Sequence, residues 1–184
     1  MSNNTLNSSP KNNKTPNEGD AFSCTIQTPL GEIRVAARDN ALLGLWFTGQ
    51  KYFPSLDENV WINQPDYPPF VSLRAWLEKY FARKNPKLDI PLDPAGTDFQ
   101  KAVWKKLSEI PYGRTTTYGT IAAQLKSEGM KASAQAVGQA VGHNPISILI
   151  PCHRVLGSDG SLTGYAGGME KKQALLKLEG AIFC

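Results

Sequence analysis

Cysteine and histidine are both scarce in this chain of 184 residues. The three cysteines, Cys24, Cys152 and Cys184, lie far apart, and the two histidines are His143 and His153. An odd number of separated cysteines argues against a disulfide framework and favours a reducing compartment. No pair of Cys or His residues has the spacing of a zinc site. We therefore expect no bound metal and a cytoplasmic, intracellular location.

Long apolar runs are also lacking. No segment approaches the roughly 20 residues that span a bilayer, and the N-terminus has no apolar stretch typical of a secretory signal. We expect no membrane association. Residues 1–20 are mostly Asn, Ser, Thr, Lys and Pro, with Leu6 as the one aliphatic residue. Such a segment buries too little apolar surface to fold, so we interpret it as a disordered tail.

The formal net charge of +4 is unevenly distributed. Residues 21–95 contain 8 basic and 8 acidic side chains, whereas residues 96–184 contain 10 basic and 6 acidic ones. The positive excess therefore belongs to the C-terminal half. It permits a polyanionic partner there but does not establish one, because many soluble enzymes carry a similar charge.

Residues 21–90 have the pattern of a small α/β domain. Strand-like runs at residues 22–28, 32–38 and 41–48 are separated by turn residues, which predicts an antiparallel meander. A helix is predicted over residues 70–84. Its apolar positions follow the helical period and favour core packing over an aromatic binding face: Leu73, Trp76, Leu77, Tyr80 and Phe81.

Residues 85–96 are rich in proline and predict a linker, and the boundary to a second domain, residues 91–184, falls within it. Thr97 and Gln100 form a capping-box pattern at the start of a helix. Two short helices are predicted next, over residues 118–126 and 134–142, with Thr117 and Ser133 as N-caps. This is the outline of a helix-turn-helix.

The second of these helices is unusually rich in Ala and Gly. Each glycine weakens a helix by roughly 1 kcal/mol relative to alanine, so its presence needs a reason. Small residues allow tight helix packing, and they equally allow a bulky partner such as a DNA backbone to approach. Composition leaves both explanations open.

Residues 146–150 (Ile-Ser-Ile-Leu-Ile) predict a buried strand that leads directly to Cys152. His153 and Arg154 follow the cysteine and could activate a thiol, since only the thiolate attacks well. Taken alone, a Cys-His pair favours a buried structural cysteine, because catalytic partners meet in space and not in sequence. A hairpin-type turn is predicted at residues 158–160, and a last helix at residues 170–179, with Gly180 at its C-terminal end.

Residues 151–155 (Pro-Cys-His-Arg-Val) resemble the active-site motif of O6-alkylguanine-DNA alkyltransferases. The surroundings agree with this resemblance over about residues 96–182: Asn144-Pro145 before the motif, residues 164–168 (Gly-Tyr-Ala-Gly-Gly) after it, Leu178-Glu179-Gly180, Tyr118 and the Ala-Val-Gly helix. Over residues 22–90 the likeness is looser and depends on residues 28–31 and the order of strands and helix.

The resemblance implies a ribonuclease-H-like α/β domain followed by a mostly helical, winged-helix-type DNA-binding domain. It implies a monomer without cofactor that binds the minor groove of double-stranded DNA carrying O6-alkylguanine. The damaged base is flipped into a pocket. The alkyl group, from O6-alkylguanine and also from O4-alkylthymine, moves irreversibly to Cys152, so each molecule acts once.

The resemblance also implies roles for single residues. His153 is the base, acting through a water, Glu179 orients it, Asn144 braces the turn, and Tyr118 protonates the departing guanine at N3. The carbonyls of Cys152 and Val155 accept from the guanine amino group, the Ala166 N–H holds O6, and Tyr165 forms a wall of the pocket. Arg154 is expected at the domain interface. The expected DNA-contacting residues are Thr117, Gln135, Ala136, Val137, Gly138 and Gln139.

Two features depart from the family pattern. Gln135 stands where the family usually has an arginine that fills the gap left by the flipped base, and the turn at residues 126–131 is longer. Gln135 keeps open a lesion-binding sensor with poor transfer, although sensors of this kind replace the cysteine. A cysteine hydrolase would turn over many times, and a helix-turn-helix regulator would need a sensor domain that the chain lacks.

Overall fold

The computed structural model describes residues 19–53 and 61–183. Its first part is a four-stranded sheet with the order β3-β2-β1-β4, in which β1, β2 and β3 form an antiparallel meander and β4 runs parallel to β1. The strands are β1 (Ala21–Thr28), β2 (Gly31–Arg38), β3 (Ala41–Phe47) and β4 (Trp61–Asn63). The predicted meander is confirmed, and β4 was not predicted. The tail expected at residues 1–20 lies outside the described residues up to position 18.

The turn between β2 and β3 has two residues in the left-handed region, Asp39 (φ 48°) and Asn40 (φ 61°). Asp and Asn tolerate this conformation better than most residues, and two such residues in a row match the twist of a tight hairpin. The local sequence therefore sets the register next to the turn, up to the register shift between Ala36 and Ala37.

Helix α1 (Pro68–Phe81) packs its apolar stripe into the core with the sheet. Leu73, Leu77 and Tyr80 are buried, as the helical spacing predicted, whereas Trp76 and Phe81 are only partly buried against the core. A proline in the first turn starts the helix two residues before the predicted position, where its missing N–H costs nothing. The helix ends three residues earlier than predicted, and Arg83 beyond it has φ 60°.

The second part is mostly helical, as predicted. It contains α2 (Asp98–Ser108), β5 (Thr116–Thr117), α3 (Tyr118–Ser127), α4 (Ala134–Gly142), a 3₁₀ turn (Cys152–Arg154), β6 (Val155–Leu156) and α5 (Met169–Glu179). Strands β5 and β6 pair in parallel. The capping box of α2 and the N-caps of α3 and α4, Thr117 and Ser133, are confirmed. Gly180 ends α5 in the left-handed conformation, also as predicted.

Helix α2 holds the helix-turn-helix in place. The Trp104 indole donates to the Ala140 carbonyl on α4 at 2.9 Å, and Lys106 forms an ion pair with Glu128 at 2.6 Å, just after α3. The α4 side chains that face this core are Val137, Ala140 and Val141. The rest of α4 is left for other contacts.

The outer edge of β3 is covered along both of its halves. Leu42 exchanges backbone hydrogen bonds with Pro91 and Asp93 of the linker, and Leu45 does so with Pro145 and Ser147, shortly before Cys152. The residues of the predicted linker, as far as Asp93, therefore bond to the edge strand of the sheet. None of the helices in the described part of the chain is long and apolar enough to cross a membrane.

Candidate active site

Cys152 is presented by a compact turn, not by the strand that we predicted over residues 146–150. Within this run only Ile146 pairs with a strand residue, in an isolated bridge to Leu45. Two three-residue turns follow, closed by Leu149 N–Ser147 O and Cys152 N–Ile150 O bonds, both 2.8 Å long. Ile148, at the centre of the first, has φ 68°, which a β-branched residue rarely adopts. The run is apolar because it is buried, and burial alone does not distinguish a strand from a turn.

Asn144 stabilises this turn from inside. Its amide nitrogen lies 2.8 Å from the Ile150 carbonyl, 3.3 Å from the Ile146 carbonyl and 3.1 Å from Cys152 Sγ, and its oxygen accepts from Ile146 N at 3.0 Å. The side chain is buried. One residue therefore both shapes the turn and offers a hydrogen-bond donor to the sulfur, which favours the thiolate.

His153 lies beside the cysteine with its ring fully buried. Its Nε2 is 2.8 Å from Glu179 Oε1. Because an ionised carboxylate only accepts, Nε2 carries the hydrogen and Nδ1 keeps its lone pair. Nδ1 is buried and has no hydrogen-bond partner among the described residues. The ring is therefore held in the tautomer that a base needs.

Burial keeps both members of the Cys-His pair neutral at rest. It raises the pKa of the Cys152 thiol, against the opposing effects of the Asn144 amide and the Lys172 ammonium. It lowers the pKa of His153, and the hydrogen bond from His153 to Glu179 opposes this only in part. The site thus holds a protected thiol next to a free base, with donors already placed to stabilise the thiolate once the proton leaves.

Glu179 is the charged centre of the arrangement. Burial alone would raise its pKa, but hydrogen bonds from His153 and Arg154 lower the pKa well below its usual range. Arg154 donates to both carboxylate oxygens, Nε to Oε2 at 2.8 Å and Nη2 to Oε1 at 2.9 Å, and also to the Ile110 carbonyl. We expected Arg154 at the domain interface, but these partners all come from the second part of the chain. The group of the first domain that donates to Glu179 is the Tyr80 hydroxyl.

Tyr118, at the first position of α3, is connected to the loop that follows Cys152 through residues that the sequence did not single out. Thr163 donates to its hydroxyl oxygen at 3.2 Å, which leaves the phenolic hydrogen free to be donated elsewhere. Burial raises the pKa of Tyr118. Lys172 Nζ donates to the carbonyls of Thr163 and Val155, both at 2.6 Å. This fully buried ammonium holds the loop that follows Cys152 against β6.

Tyr165 and Ala166, predicted as pocket residues, lie on that loop. Burial raises the pKa of Tyr165 well above its usual range, so the phenol stays neutral. The Ala166 carbonyl accepts from Lys51 N at 3.0 Å, which ties the loop to the first domain. The Val155 carbonyl accepts from Lys172.

The predicted DNA-contacting residues separate into exposed and buried ones. Gln135 and Gln139 are exposed on α4, and Ala136 and Gly138 are partly exposed. Val137 is fully buried in the core, so the prediction for its side chain is wrong: it lies on the opposite face of the helix. The Thr117 hydroxyl caps α3 and is also 2.9 Å from the Thr120 hydroxyl.

The glycines of α4 are not explained by packing within the protein. A Cβ added at Gly142 would meet no atom within 4 Å, and one at Gly138 would come no closer than 3.7 Å, to the Tyr118 ring. Of the two explanations that composition left open, an external partner is therefore favoured. No group of three or more His, Cys, Asp or Glu side chains in the described ranges could hold a metal ion.

Comparison with known proteins identifies both halves of the chain. The profile of the 6-O-methylguanine DNA methyltransferase ribonuclease-like domain matches residues 22–94, and that of the DNA binding domain of the same family matches residues 98–181. The methylated-DNA–protein-cysteine methyltransferase of Mycobacterium tuberculosis strain H37Rv is 46% identical over 155 residues, 84% of this chain and 90% of that protein. The protein of this name from Methanosarcina barkeri is also 46% identical, over 84% of this chain and 94% of its own.

Solved structures agree with this assignment. The structure of M. tuberculosis OGT in complex with DNA superimposes with a TM-score of 0.77 at 43% identity, covering 86% of this chain and 92% of that one. The predicted fold class, a ribonuclease-like α/β domain followed by a DNA-binding domain, is confirmed. The chain belongs to the 6-O-methylguanine DNA methyltransferase family.

Proposed function

We propose that this protein repairs DNA by moving an alkyl group from O6 of guanine to its own Cys152. The observation that carries the proposal is the combination of a buried thiol, which accepts a hydrogen bond from Asn144, with the adjacent His153–Glu179 pair. A structural cysteine needs neither the donor nor the base. The relatives named methylated-DNA–protein-cysteine methyltransferases support the same chemistry.

In the proposed reaction, the thiol proton passes to Nδ1 of His153 through a water, and Glu179 stabilises the imidazolium that forms. The Cys152 sulfur then displaces guanine from the alkyl carbon, so that a C–S bond forms as the C–O6 bond breaks. Tyr118 donates a proton to N3 of the departing base, which balances the one lost from the thiol. The thioether product is not reversed by thiol exchange, and each molecule reacts once without a cofactor.

We propose that the residues around Cys152 also recognise the flipped base. The carbonyls of Cys152 and Val155 would accept from the guanine amino group, the Ala166 N–H would hold O6, and Tyr165 would form a wall. The same pocket would take O4-alkylthymine, which also presents an alkylated oxygen. We propose that a monomer binds the minor groove with the exposed face of α4, where small side chains allow the DNA backbone to approach closely.

The test is the stoichiometry of transfer. A duplex with one O6-methylguanine should add one methyl, about 14 Da, per protein molecule, and peptide mapping should place it on Cys152. Cys24, which is also free and buried, is the internal control and should remain unmodified. The Cys152→Ser variant should bind DNA and transfer nothing. Multiple turnovers, or a label on another residue, would contradict the proposal.

A second candidate function is a lesion sensor that transfers poorly. It is favoured by one observation: Gln135 is exposed on the face of α4 that we assign to DNA. A side chain that fills the gap in the stack must offset an unstacking cost of a few kcal/mol. Arginine does this by stacking and hydrogen bonding at once, whereas glutamine is shorter and uncharged. We expect flipping to be weaker by about 1 kcal/mol.

The Gln135→Arg variant separates these functions. It should speed repair of duplex DNA several-fold and leave transfer from free O6-benzylguanine unchanged, because no duplex has to open; single-stranded substrate should fall between. Rates at two salt concentrations are the control. If Gln135 is only a solvated residue and Gln139 inserts instead, the added charge would raise binding to all DNA alike, and high salt would erase the gain.

We also propose that the first domain extends a few residues beyond the predicted boundary at 90. Hydrogen bonds from Leu42 to Pro91 and Asp93 support this, as does the profile match to residue 94. The second domain would then begin near Thr97, the N-cap of α2. Limited proteolysis should cut between residues 94 and 97 before it cuts at residues 85–90.

A further inference from the structure

Glu179 accepts hydrogen bonds from more groups than the proposed proton transfer from Cys152 to His153 requires. Its Oε1 lies 2.6 Å from the Tyr80 hydroxyl, 2.8 Å from His153 Nε2 and 2.9 Å from Arg154 Nη2. Its Oε2 accepts from Arg154 Nε at 2.8 Å and from Gly113 N at 3.3 Å. The shortest of these contacts comes from α1, in the other domain, 99 residues away in sequence.

The Tyr80 hydroxyl is held in place by its surroundings. The side chain is 1% exposed, its ring stacks on Trp76 with centroids 5.0 Å apart, and the rings of Phe81 and Tyr112 pack against it edge-on. Burial and the negative charge of Glu179 raise the pKa of Tyr80 far above its usual range. The phenol therefore remains protonated and is the donor in its bond to Glu179.

We infer that Tyr80 is a positioning residue through which the N-terminal domain sets the base strength of His153. This rests on the proposed function, in which His153 takes the thiol proton. Tyr80 and His153 donate to the same carboxylate oxygen, and a hydrogen bond to one face of that oxygen draws electron density away from the other. The Glu179–His153 bond is thereby weakened, and His153 becomes a weaker base than Glu179 alone would make it.

This role predicts the direction in which the pKa of His153 changes when the hydroxyl is removed. A tyrosine that only packs in the core would not change that pKa. Without the Tyr80 hydroxyl, Oε1 would carry more charge toward His153, so the imidazolium would be more stable and His153 would take up a proton from solvent at higher pH. In the Tyr80→Phe variant, the acidic limb of the rate profile should move to higher pH by about half a unit, because that limb reports protonation of the His153 base. Loss of packing or order would instead slow the reaction at every pH without moving its midpoint.

The experiment measures single-turnover transfer from free O6-benzylguanine across pH, on the full chain, with the label on Cys152 checked by mass. Tyr112→Phe is the matched control, because it removes a phenol near the same site whose hydroxyl bonds to the Leu178 carbonyl at 3.4 Å and not to the carboxylate. Its midpoint should equal that of the wild type. Urea unfolding of both variants reports any loss of stability separately.

A second variant tests the opposite direction without removing the hydroxyl. A tyrosine fluorinated at ring carbon 3, incorporated at position 80, is a stronger donor and should move the midpoint to lower pH. Opposite shifts for Tyr80→Phe and the fluorinated residue, with none for Tyr112→Phe, would support the inference. An unmoved midpoint in both, or a downward shift in Tyr80→Phe, would overturn it. If the wild type itself fails to label Cys152, the proposed function fails instead.

Discussion

At the scale of single residues, Lys172 is the most unexpected member of the site. It is an ammonium group with no exposed surface, and it donates to two main-chain carbonyls. Nearby residues of α5 are charged and exposed, which makes the segment look solvated. The signal lay in the spacing: Lys172 precedes Leu175, Leu176 and Glu179 at i+3, i+4 and i+7, so it falls on the buried face of α5.

Lys172 predicts an unusual dependence of stability on pH. Burial lowers its pKa from 10.5 to about 8, so between these values the unfolded chain binds more protons than the folded one. Stability contributed by this residue should therefore rise as pH increases from 8 to 10.5, by about 3 kcal/mol. The measurement is urea unfolding of wild type and Lys172→Met across this range.

The free energies of unfolding of the wild type and of Lys172→Met should differ increasingly toward high pH, because the variant lacks the titrating group. The neighbouring Lys171→Met is the control, since the Lys171 side chain is only partly buried, over the ring of Phe47. Its curve should stay parallel to that of the wild type. If the stability of Lys172→Met also ran parallel to that of the wild type, burial would not lower the pKa of Lys172.

Tyr80 is a residue whose burial could be predicted from the sequence but whose hydrogen-bond partner could not. Its position in the apolar stripe of α1 correctly predicted burial, and a buried tyrosine hydroxyl needs a partner. Nothing in the sequence identifies that partner, because Glu179 lies at the far end of the chain. The roles of Cys152, His153, Asn144 and Glu179 came from resemblance, whereas their contacts could be obtained only from the three-dimensional arrangement.

At the scale of elements, helices with strong local signals were predicted closely. α4 has the predicted bounds of residues 134 and 142, and the capping box of α2 is present. The run at residues 146–150 was predicted wrongly, because what shapes it is not local. Leu45 of the first domain bonds the backbone of Pro145 and Ser147, and Asn144 binds the carbonyls of the turn.

The glycines of α4 lead to a prediction about this helix. Since a Cβ at Gly142 would meet no atom within 4 Å, Gly142→Ala should stabilise the protein by about 0.5–1 kcal/mol. If the DNA backbone approaches this face, the same change should weaken duplex binding and leave transfer from O6-benzylguanine unaffected. Thermal unfolding and a duplex titration measure the two effects. A Gly142→Ala variant less stable than the wild type would mean that this glycine is needed for packing within the protein.

At the scale of the whole molecule, the buried charges should determine stability in acid. Hydrogen bonds from His153 and Arg154 overcome the effect of burial and lower the pKa of Glu179, so its contribution is present above the unfolded value of about 4.5 and is lost as pH falls below it. Burial also lowers the pKa of His153, so the unfolded chain takes up that proton first and stability begins to fall below about pH 6.5.

Glu179→Gln should therefore cost about 3–5 kcal/mol at pH 7, because it leaves Arg154 without its charge partner, and the difference from wild type should shrink below about pH 4.5. Glu109→Gln, which removes a half-exposed partner of Lys106, is the control and should change stability by less than about 1 kcal/mol. Urea unfolding between pH 3 and 7 provides the comparison. A constant difference down to pH 3 would mean that the pKa of Glu179 is not lowered by folding.

The covered edge of β3 links the chemistry of the site to solubility. An outer strand with free N–H and C=O groups can recruit a strand from another molecule, and the residues around Pro145 prevent this at Leu45. The same segment carries Cys152, which is only 6% exposed, so an alkyl group on the sulfur that displaced the turn would act on this covered edge. A shift of the turn would uncover part of the strand edge. The protein that has completed its one reaction should then be more prone to aggregate than the protein that has not yet reacted.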